Sequence, residues 1–209
     1  MWTVVVAAGS GSRVGGEVPK QFLTLGGVRV VDRAVATAAA VSDGVVLVLP
    51  PGKWEANELA TRVVAGGATR SASVRAGLAA VPETAEVVVV HDAARPLASA
   101  GLFERVVSAV LAGADAAVPG LESADTLKEV DPGGTVVATL PRERVVAVQT
   151  PQAFKASVLR EAHRGEPEFT DDAAAVEAIG CRVVVVPGER LNLKITVPED
   201  LRVAECLVS

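Results

Sequence analysis

The segment Val4–Gln21 reads VVVAAGSGSRVGGEVPKQ. An apolar stretch, Trp2 to Val6, runs directly into Ala7, Ala8 and a glycine-rich loop from Gly9 to Gly16, followed by Pro19 and Lys20. Small residues let backbone N–H groups approach an anion closely, and successive N–H groups in a turn form an anion-binding concavity. Arg13 and Lys20 place two cations on this loop, in a chain whose formal net charge is −5. A buried strand that opens onto such a loop predicts an α/β fold with an anion, such as a triphosphate, held beyond the first strand.

Three readings of the loop compete with a plain surface turn. A P-loop requires Gly-Lys-Ser/Thr, which does not occur. A dinucleotide fingerprint requires G-x-G-x-x-G opening a helix. After Gly9 and Gly11 the next glycine, Gly15, comes one residue late, and Gly16 and Pro19 oppose an immediate helix. Asp32 does stand at about the distance expected of a ribose-binding acid, so an NAD-binding oxidoreductase stays open. The third reading is a nucleotidyltransferase loop in which Arg and Lys grip the triphosphate of a nucleotide.

The rest of the chain narrows the choice. At 209 residues one domain is expected, and 50% hydrophobic residues with 3% aromatics imply a core of Val, Ala and Leu. That core suits a parallel sheet covered by helices on both faces. The acidic balance offers no general attraction to nucleic acid or an anionic membrane. No apolar stretch approaches ~20 uninterrupted residues, so no membrane span is expected. Cys181 and Cys206 are isolated, which excludes a zinc spacing and fits a reduced, cytoplasmic setting.

Strands at Trp2–Val6, Val45–Leu49, Arg62–Val64, Val87–Val90, Ala116–Pro119 and Val183–Val186 alternate with helices at Val30–Val41, Trp54–Thr61, Ser71–Ala80, Leu102–Leu111, Lys155–Arg164, Asp171–Ile179 and Glu199–Leu207. Val183–Val186 reads as buried. Thr150–Phe154 reads as a loop, and Thr170 as the cap of the Asp171 helix. This alternation predicts a mostly parallel sheet, whose ligands collect at the carboxyl ends of the strands. The Gly9 loop, the Gly66 loop and His91–Pro96 would meet there. Residues 123–144 break the rhythm: two period-two stretches flank Asp131-Pro132-Gly133-Gly134, a β-hairpin signature. A hairpin with so little apolar surface needs a neighbour, either its own domain or a second subunit.

Hydrolytic chemistry is poorly supplied. His91 and His163 are the two histidines, Tyr is absent, and no G-x-S-x-G occurs. Transfer onto a phosphate needs no general base, because a phosphomonoester has a second pKa of about 6 and is largely dianionic at neutral pH. The obstacle is the approach of two anions, which Mg²⁺ and several Arg and Lys overcome. Arg13, Lys20, Arg95, Arg142 and Lys194 are the candidate cations. Each has a bland alternative: Arg142 as solvated charge beside Arg144, and Lys194 as a gatekeeper on an edge strand. Asp92 is open to two readings as well, a helix cap or a metal or ribose ligand.

Taken together, the motifs Ala7–Arg13, Pro19-Lys20-Gln21, Gly66–Val74, His91-Asp92-Ala93-Ala94-Arg95-Pro96, Asp125–Lys128, Thr150-Pro151-Gln152, Thr170-Asp171-Asp172 and Asn192–Thr196 resemble the 2-C-methyl-D-erythritol 4-phosphate cytidylyltransferase family over nearly the whole chain. The resemblance implies a single-domain Rossmann-like nucleotidyltransferase fold spanning 1–209, with a protruding β-hairpin arm at about 123–144 that forms a homodimer. It implies a reaction of CTP with methylerythritol 4-phosphate, with Mg²⁺, giving 4-diphosphocytidyl-methylerythritol and pyrophosphate.

The resemblance also carries roles. Arg13 and Lys20 would stabilise the transition state, and Arg142 and Lys194 would position the attacking phosphate. Ala7, Ala8, Gly9, Gly11, Gly66, Ala68 and Ser73 would line the cytidine pocket. Asp92, also the candidate metal ligand, would lie with Arg95 between nucleotide and acceptor. Thr126, Thr150 and Thr170 would contact the polyol phosphate, with Thr126 and Arg142 acting in trans. Ala68 stands where the family often has a larger polar residue, and Ser12 where it often has a basic one. No cyclase domain of the kind fused to some members is expected. Ribitol-5-phosphate cytidylyltransferase shares the loop and the fold and remains an alternative.

Overall fold

The computed structural model describes residues 1–9, 18–52, 55, 57–165 and 168–208. The glycine-rich loop beyond Gly9, with Gly11 and Arg13, therefore lies outside the described residues.

At the centre is a sheet built on β1 (Trp2–Val6), β4 (Gly44–Leu49) and β6 (Val87–Asp92). β1 pairs in parallel with both neighbours, and β5 (Arg62–Ala65) adds to β4 in the same sense. On the other side, β11 (Gln152–Lys155) lies antiparallel between β6 and β7 (Ala116–Glu122). β7 carries β12 (Val183–Pro187) in parallel and β10 (Val146–Val148) antiparallel. The sheet is thus mostly parallel, as the alternation predicts.

Its strands read Val after Val because both faces are covered. Val5, Leu47 and Val89 point to one face, where α1 (Val30–Val41) and α3 (Ala100–Leu111) deliver Val31, Ala34, Val35, Phe103 and Val106. Val4, Val46, Val48, Val88 and Val90 point to the other, against Val74 and Leu78 of α2 (Arg70–Ala79), Leu159 of α4 (Ala156–Ala162) and Val176 of α5 (Asp172–Ala178). Successive side chains of a strand alternate faces, so one Val run supplies both cores. Each fully buried Val contributes about 1.5–3 kcal/mol relative to exposure. β2 (Thr24–Leu25) and β3 (Val28–Arg29) form a small antiparallel pair of their own, and α6 (Pro198–Val208) closes a small third cluster with Leu25 and Ile195.

Five expectations are corrected. Residues 57–61 form a turn rather than a helix, with Asn57 accepting from the amide of Leu59. Gln152–Lys155 is a strand inserted beside β6, and only Ala156 onward is helical. Asp171, not Thr170, caps α5: its carboxylate accepts from the amide of Ala174 at 2.9 Å. β12 is partly exposed, since it lies against β7 on one side only. β6 also runs two residues further than its apolar core, so His91 and Asp92 are strand residues.

The hairpin forms as predicted, from β8 (Leu127–Val130) and β9 (Val136–Leu140). Asp131 Oδ1 accepts from the amides of Gly133 and Thr135, and Gly134 adopts φ +81°, a left-handed conformation that suits glycine. The pair stands off the main sheet, with Val130, Val136 and Val137 more than half exposed. No described helix is long and apolar enough to cross a membrane.

Candidate active site

Parallel register places the carboxyl ends of β1 and β6 side by side, Val6 opposite Asp92. The amide of Ala93 donates to Val6 O, and that of Ala7 to Val48 O, so three strands release their loops at one level. Between the loops lies a cleft of about 570 Å³, with Ala7, Ala8, Gly9, Lys20, Ala68, Ser73, Asp92 and Lys194 on its walls. Residues singled out from distant parts of the sequence thus converge in one space.

The Gly66 loop lies close against the first strand. A Cβ on Gly66 would lie 2.2 Å from Ala8 Cβ, so only glycine lets the Gly66 loop approach the first strand this closely. Ser73 holds that loop: its hydroxyl donates to Thr69 O at 2.8 Å and accepts from the amide of Gly67 at 3.2 Å. Thr69 caps α2 by accepting from the amide of Ala72. The partially positive N-terminus of α2 therefore faces the cleft, as befits an anion site.

The sequence by itself gives Gln21 no working role, yet the fold does. Its buried amide donates to Ala7 O at 2.6 Å and to Gly9 O at 2.8 Å. These bonds join the exit of the glycine-rich loop to its entrance and fix Lys20 beside the cleft. Polar residues after a loop carry no such signal in one dimension.

Charged side chains also line the cleft. Asp92 is 8% exposed and both its oxygens are engaged: Lys194 Nζ donates to Oδ2 at 2.7 Å, and Arg70 Nε to Oδ1 at 3.3 Å. Burial by itself would raise the Asp92 pKa, but Arg70 and Lys194 outweigh it and hold the carboxyl well below its usual range. Arg70 also donates to Asp172 Oδ2 at 2.8 Å. Burial alone would lower its pKa, but the two carboxylates leave it raised. Asp92 is not a helix cap: Ser99 caps α3. Lys194 lies on no edge strand but in the segment before α6.

Beneath Asp92 runs a buried chain of hydrogen bonds. His91 lies opposite Arg95 O at 3.1 Å through Nε2, and a carbonyl can only accept, so Nε2 carries the proton. Nδ1 then accepts from the Thr150 hydroxyl at 3.2 Å, and that oxygen accepts from the amide of Asp92 at 3.0 Å. Burial lowers the His91 pKa to about 4, which keeps the ring neutral. Thr150 is thus spent on supporting Asp92 rather than pointing into the cleft. Arg95 likewise turns under the floor, donating to Asn192 O at 2.8 Å.

The other candidates lie elsewhere in the single chain. Thr170 is exposed before α5. Thr126 and Arg142 belong to the exposed hairpin region, where Arg142 donates to Ala124 O at 3.2 Å. Asp32 is outside the cleft, and its carboxylate is held by Arg29 and Asn57, which removes it as a ribose ligand.

A magnesium ion fits Asp92 in one way only. No group of three or more His, Cys, Asp or Glu side chains gathers among the described residues. Magnesium bound to a nucleotide takes one or two carboxylates together with phosphates and water. Asp92 supplies such a single carboxylate on the cleft wall, and a metal ion there would share its oxygens with Lys194 and Arg70.

Comparison with known proteins agrees with this geometry. The family model described as 2-C-methyl-D-erythritol 4-phosphate cytidylyltransferase matches residues 1–209. A protein of that name from Nocardia farcinica is 45% identical over 98% of this chain and 92% of its own length. A bifunctional enzyme, IspD/IspF, from Solidesulfovibrio magneticus is 46% identical over 96% of this chain, which spans about half (55%) of that relative. The crystal structure of the cytidylyltransferase from Thermus thermophilus superposes with a TM-score of 0.85 at 40% identity, covering 99% of this chain and 98% of that one. The chain belongs to the 2-C-methyl-D-erythritol 4-phosphate cytidylyltransferase family.

Proposed function

We propose that the chain transfers the cytidylyl group of CTP to 2-C-methyl-D-erythritol 4-phosphate, releasing pyrophosphate, in isoprenoid biosynthesis. The observation that carries this reading is the polarity of the cleft. Its walls combine small residues, Ala7, Ala8, Gly9 and Ala68, with Lys20 and the Arg70–Asp92–Lys194 cluster.

The cytidine occupies the slot between Ala7, Ala8 and Gly9 on one side and the Gly66, Ala68 and Ser73 loop on the other. Lys20 and Arg13 meet the triphosphate. An oxygen of the acceptor phosphate attacks the α-phosphorus, the bond to the bridging oxygen of the β-phosphate breaks, and pyrophosphate leaves with that electron pair. No proton need be removed from the attacking oxygen, so the site requires cations rather than a base. Lys194 holds the attacking phosphate; Arg95, turned under the floor, supports the site through Asn192 O rather than meeting the acceptor, and Thr170 would have to be brought to the acceptor polyol from its exposed place before α5. Asp92 would hold Mg²⁺, which supplies charge neutralisation at the phosphates when bound.

Thr126 and Arg142 complete the site from a second copy. In this arrangement the exposed valines of the hairpin are covered by a homodimer partner, and the arm reaches the neighbouring cleft. The two cysteines are free, in keeping with a cytoplasmic enzyme. The test is Lys20→Ala. A transition-state contact predicts a loss of turnover of about 10²-fold or more with CTP affinity nearly unchanged. Equal losses in both would reduce Lys20 to a binding residue.

A further inference from the structure

Arg70 is the residue on which two buried carboxylates depend. It is the first residue of α2, lines the cleft, and bridges Asp92 on β6 to Asp172 at the start of α5. Asp172 is 1% exposed, and its other oxygen meets His163 Nε2 at 3.1 Å. A line of contacts therefore runs His163–Asp172–Arg70–Asp92–Lys194, from the interior to the cleft.

The two ends of this line differ in freedom. Asp172 is locked in the core, whereas the Lys194 side chain is 42% exposed and sits on a flexible four-carbon stem. Lys194 is held through Asp92 Oδ2. Asp92 in turn has its orientation set by what occupies Oδ1, and that is the guanidinium of Arg70. We propose that Arg70 is a positioning residue: it divides the Asp92 carboxylate so that one oxygen alone faces Lys194, and so sets where the Lys194 ammonium meets the attacking phosphate. The proposal rests on the role given to Lys194 above.

Charge supports the geometry. Arg70 and Lys194 balance Asp92 and Asp172. Without Arg70 the two carboxylates lose a shared cation, and Lys194, left as the ion-pair partner of Asp92, is drawn onto both carboxylate oxygens instead of being held at one. A lysine at position 70 restores the charge but, as a point charge, cannot span two carboxylates as a planar guanidinium does.

The test compares Arg70→Met and Arg70→Lys with the wild-type protein, using pyrophosphate release and crystal structures of the three proteins. A misplacement of Lys194 by about 1 Å predicts a loss of about 10²-fold in kcat/KM for the acceptor in Arg70→Met, with the KM for CTP near its wild-type value. Arg70→Lys falls between the two, and in the methionine variant Lys194 Nζ leaves Asp92 Oδ2 or takes both carboxylate oxygens. Acceptor kinetics unchanged in both variants would overturn the proposal, as would equal losses for CTP and acceptor with Asp92 and Lys194 unmoved. Wild-type protein inert with every acceptor would overturn the reaction assigned above. Arg70 would then be judged on the variant structures alone, where an unmoved Lys194–Asp92 pair refutes it.

Discussion

Gln21 donates its amide to the carbonyl oxygen of Ala7 across 2.6 Å, fastening the residue after Lys20 to the end of the first strand. The same nitrogen reaches Gly9 O, so one side chain ties the residue after Lys20 to both Ala7 and Gly9. Gln21→Ala leaves Ala7 O buried without this donor, and an unsatisfied buried carbonyl costs about 1–3 kcal/mol. Urea denaturation should show a loss of that size. CTP binding by calorimetry should weaken as well, because Lys20 loses its anchor.

Gly66 tests the close approach of its loop to the first strand separately. A methyl group there would overlap Ala8 Cβ and come within 2.8 Å of Ser73 Oγ. Gly66→Ala should destabilise the fold by about 1–3 kcal/mol, the usual cost of overpacking. It should also raise the KM for CTP while leaving that for the acceptor phosphate close to normal.

The neutral His91 makes the floor of the site acid-sensitive. Its pKa of about 4 in the folded protein lies below the ordinary value of 6.5. The unfolded chain therefore binds the extra proton first, and stability is lost as pH falls from about 6.5 towards about 4, by about 2 kcal/mol at pH ~5. The depressed Asp92 adds a loss of the same sign below pH ~4. Urea midpoints measured between about pH 7 and about pH 5 should fall for the wild-type protein. His91→Gln should give a flatter curve over that interval.

The hairpin arm predicts complementation. If Arg142 serves the neighbouring copy, Arg142→Ala and Lys194→Ala proteins are each impaired alone. Co-refolded in equal amounts, about half of the dimers are mixed and each mixed dimer keeps one intact site, so about a quarter of wild-type turnover returns. An arm that served its own cleft would restore nothing. Sedimentation should also show a dimer for the wild-type protein and a monomer for Val137→Asp.

Much of this architecture is legible in one dimension. Strand β1 and helix α1 follow from apolar runs with the right period, and Asp131–Gly134 announces the hairpin turn. β11 does not, because Gln152–Lys155 is short, begins with a polar residue and follows Pro151. Its place is set by the gap between β6 and β7. Thr170 and Asp171 are both good caps, and only the backbone path selects the second. Within the site, Lys20, Asp92 and Lys194 stand in local motifs that mark them. Arg70 and Asp172 are 102 positions apart, and nothing local marks them as partners. Gln21 and Thr150 work through carbonyls and amides brought to them by the fold, so their roles emerge only from packing.

The most direct measurement is pyrophosphate release by the purified protein with CTP and Mg²⁺, comparing 2-C-methyl-D-erythritol 4-phosphate with ribitol 5-phosphate. The family assignment and the geometry of the cleft predict rapid release with the first acceptor and little with the second. Release with ribitol 5-phosphate alone, or with neither despite bound CTP, would contradict the assignment.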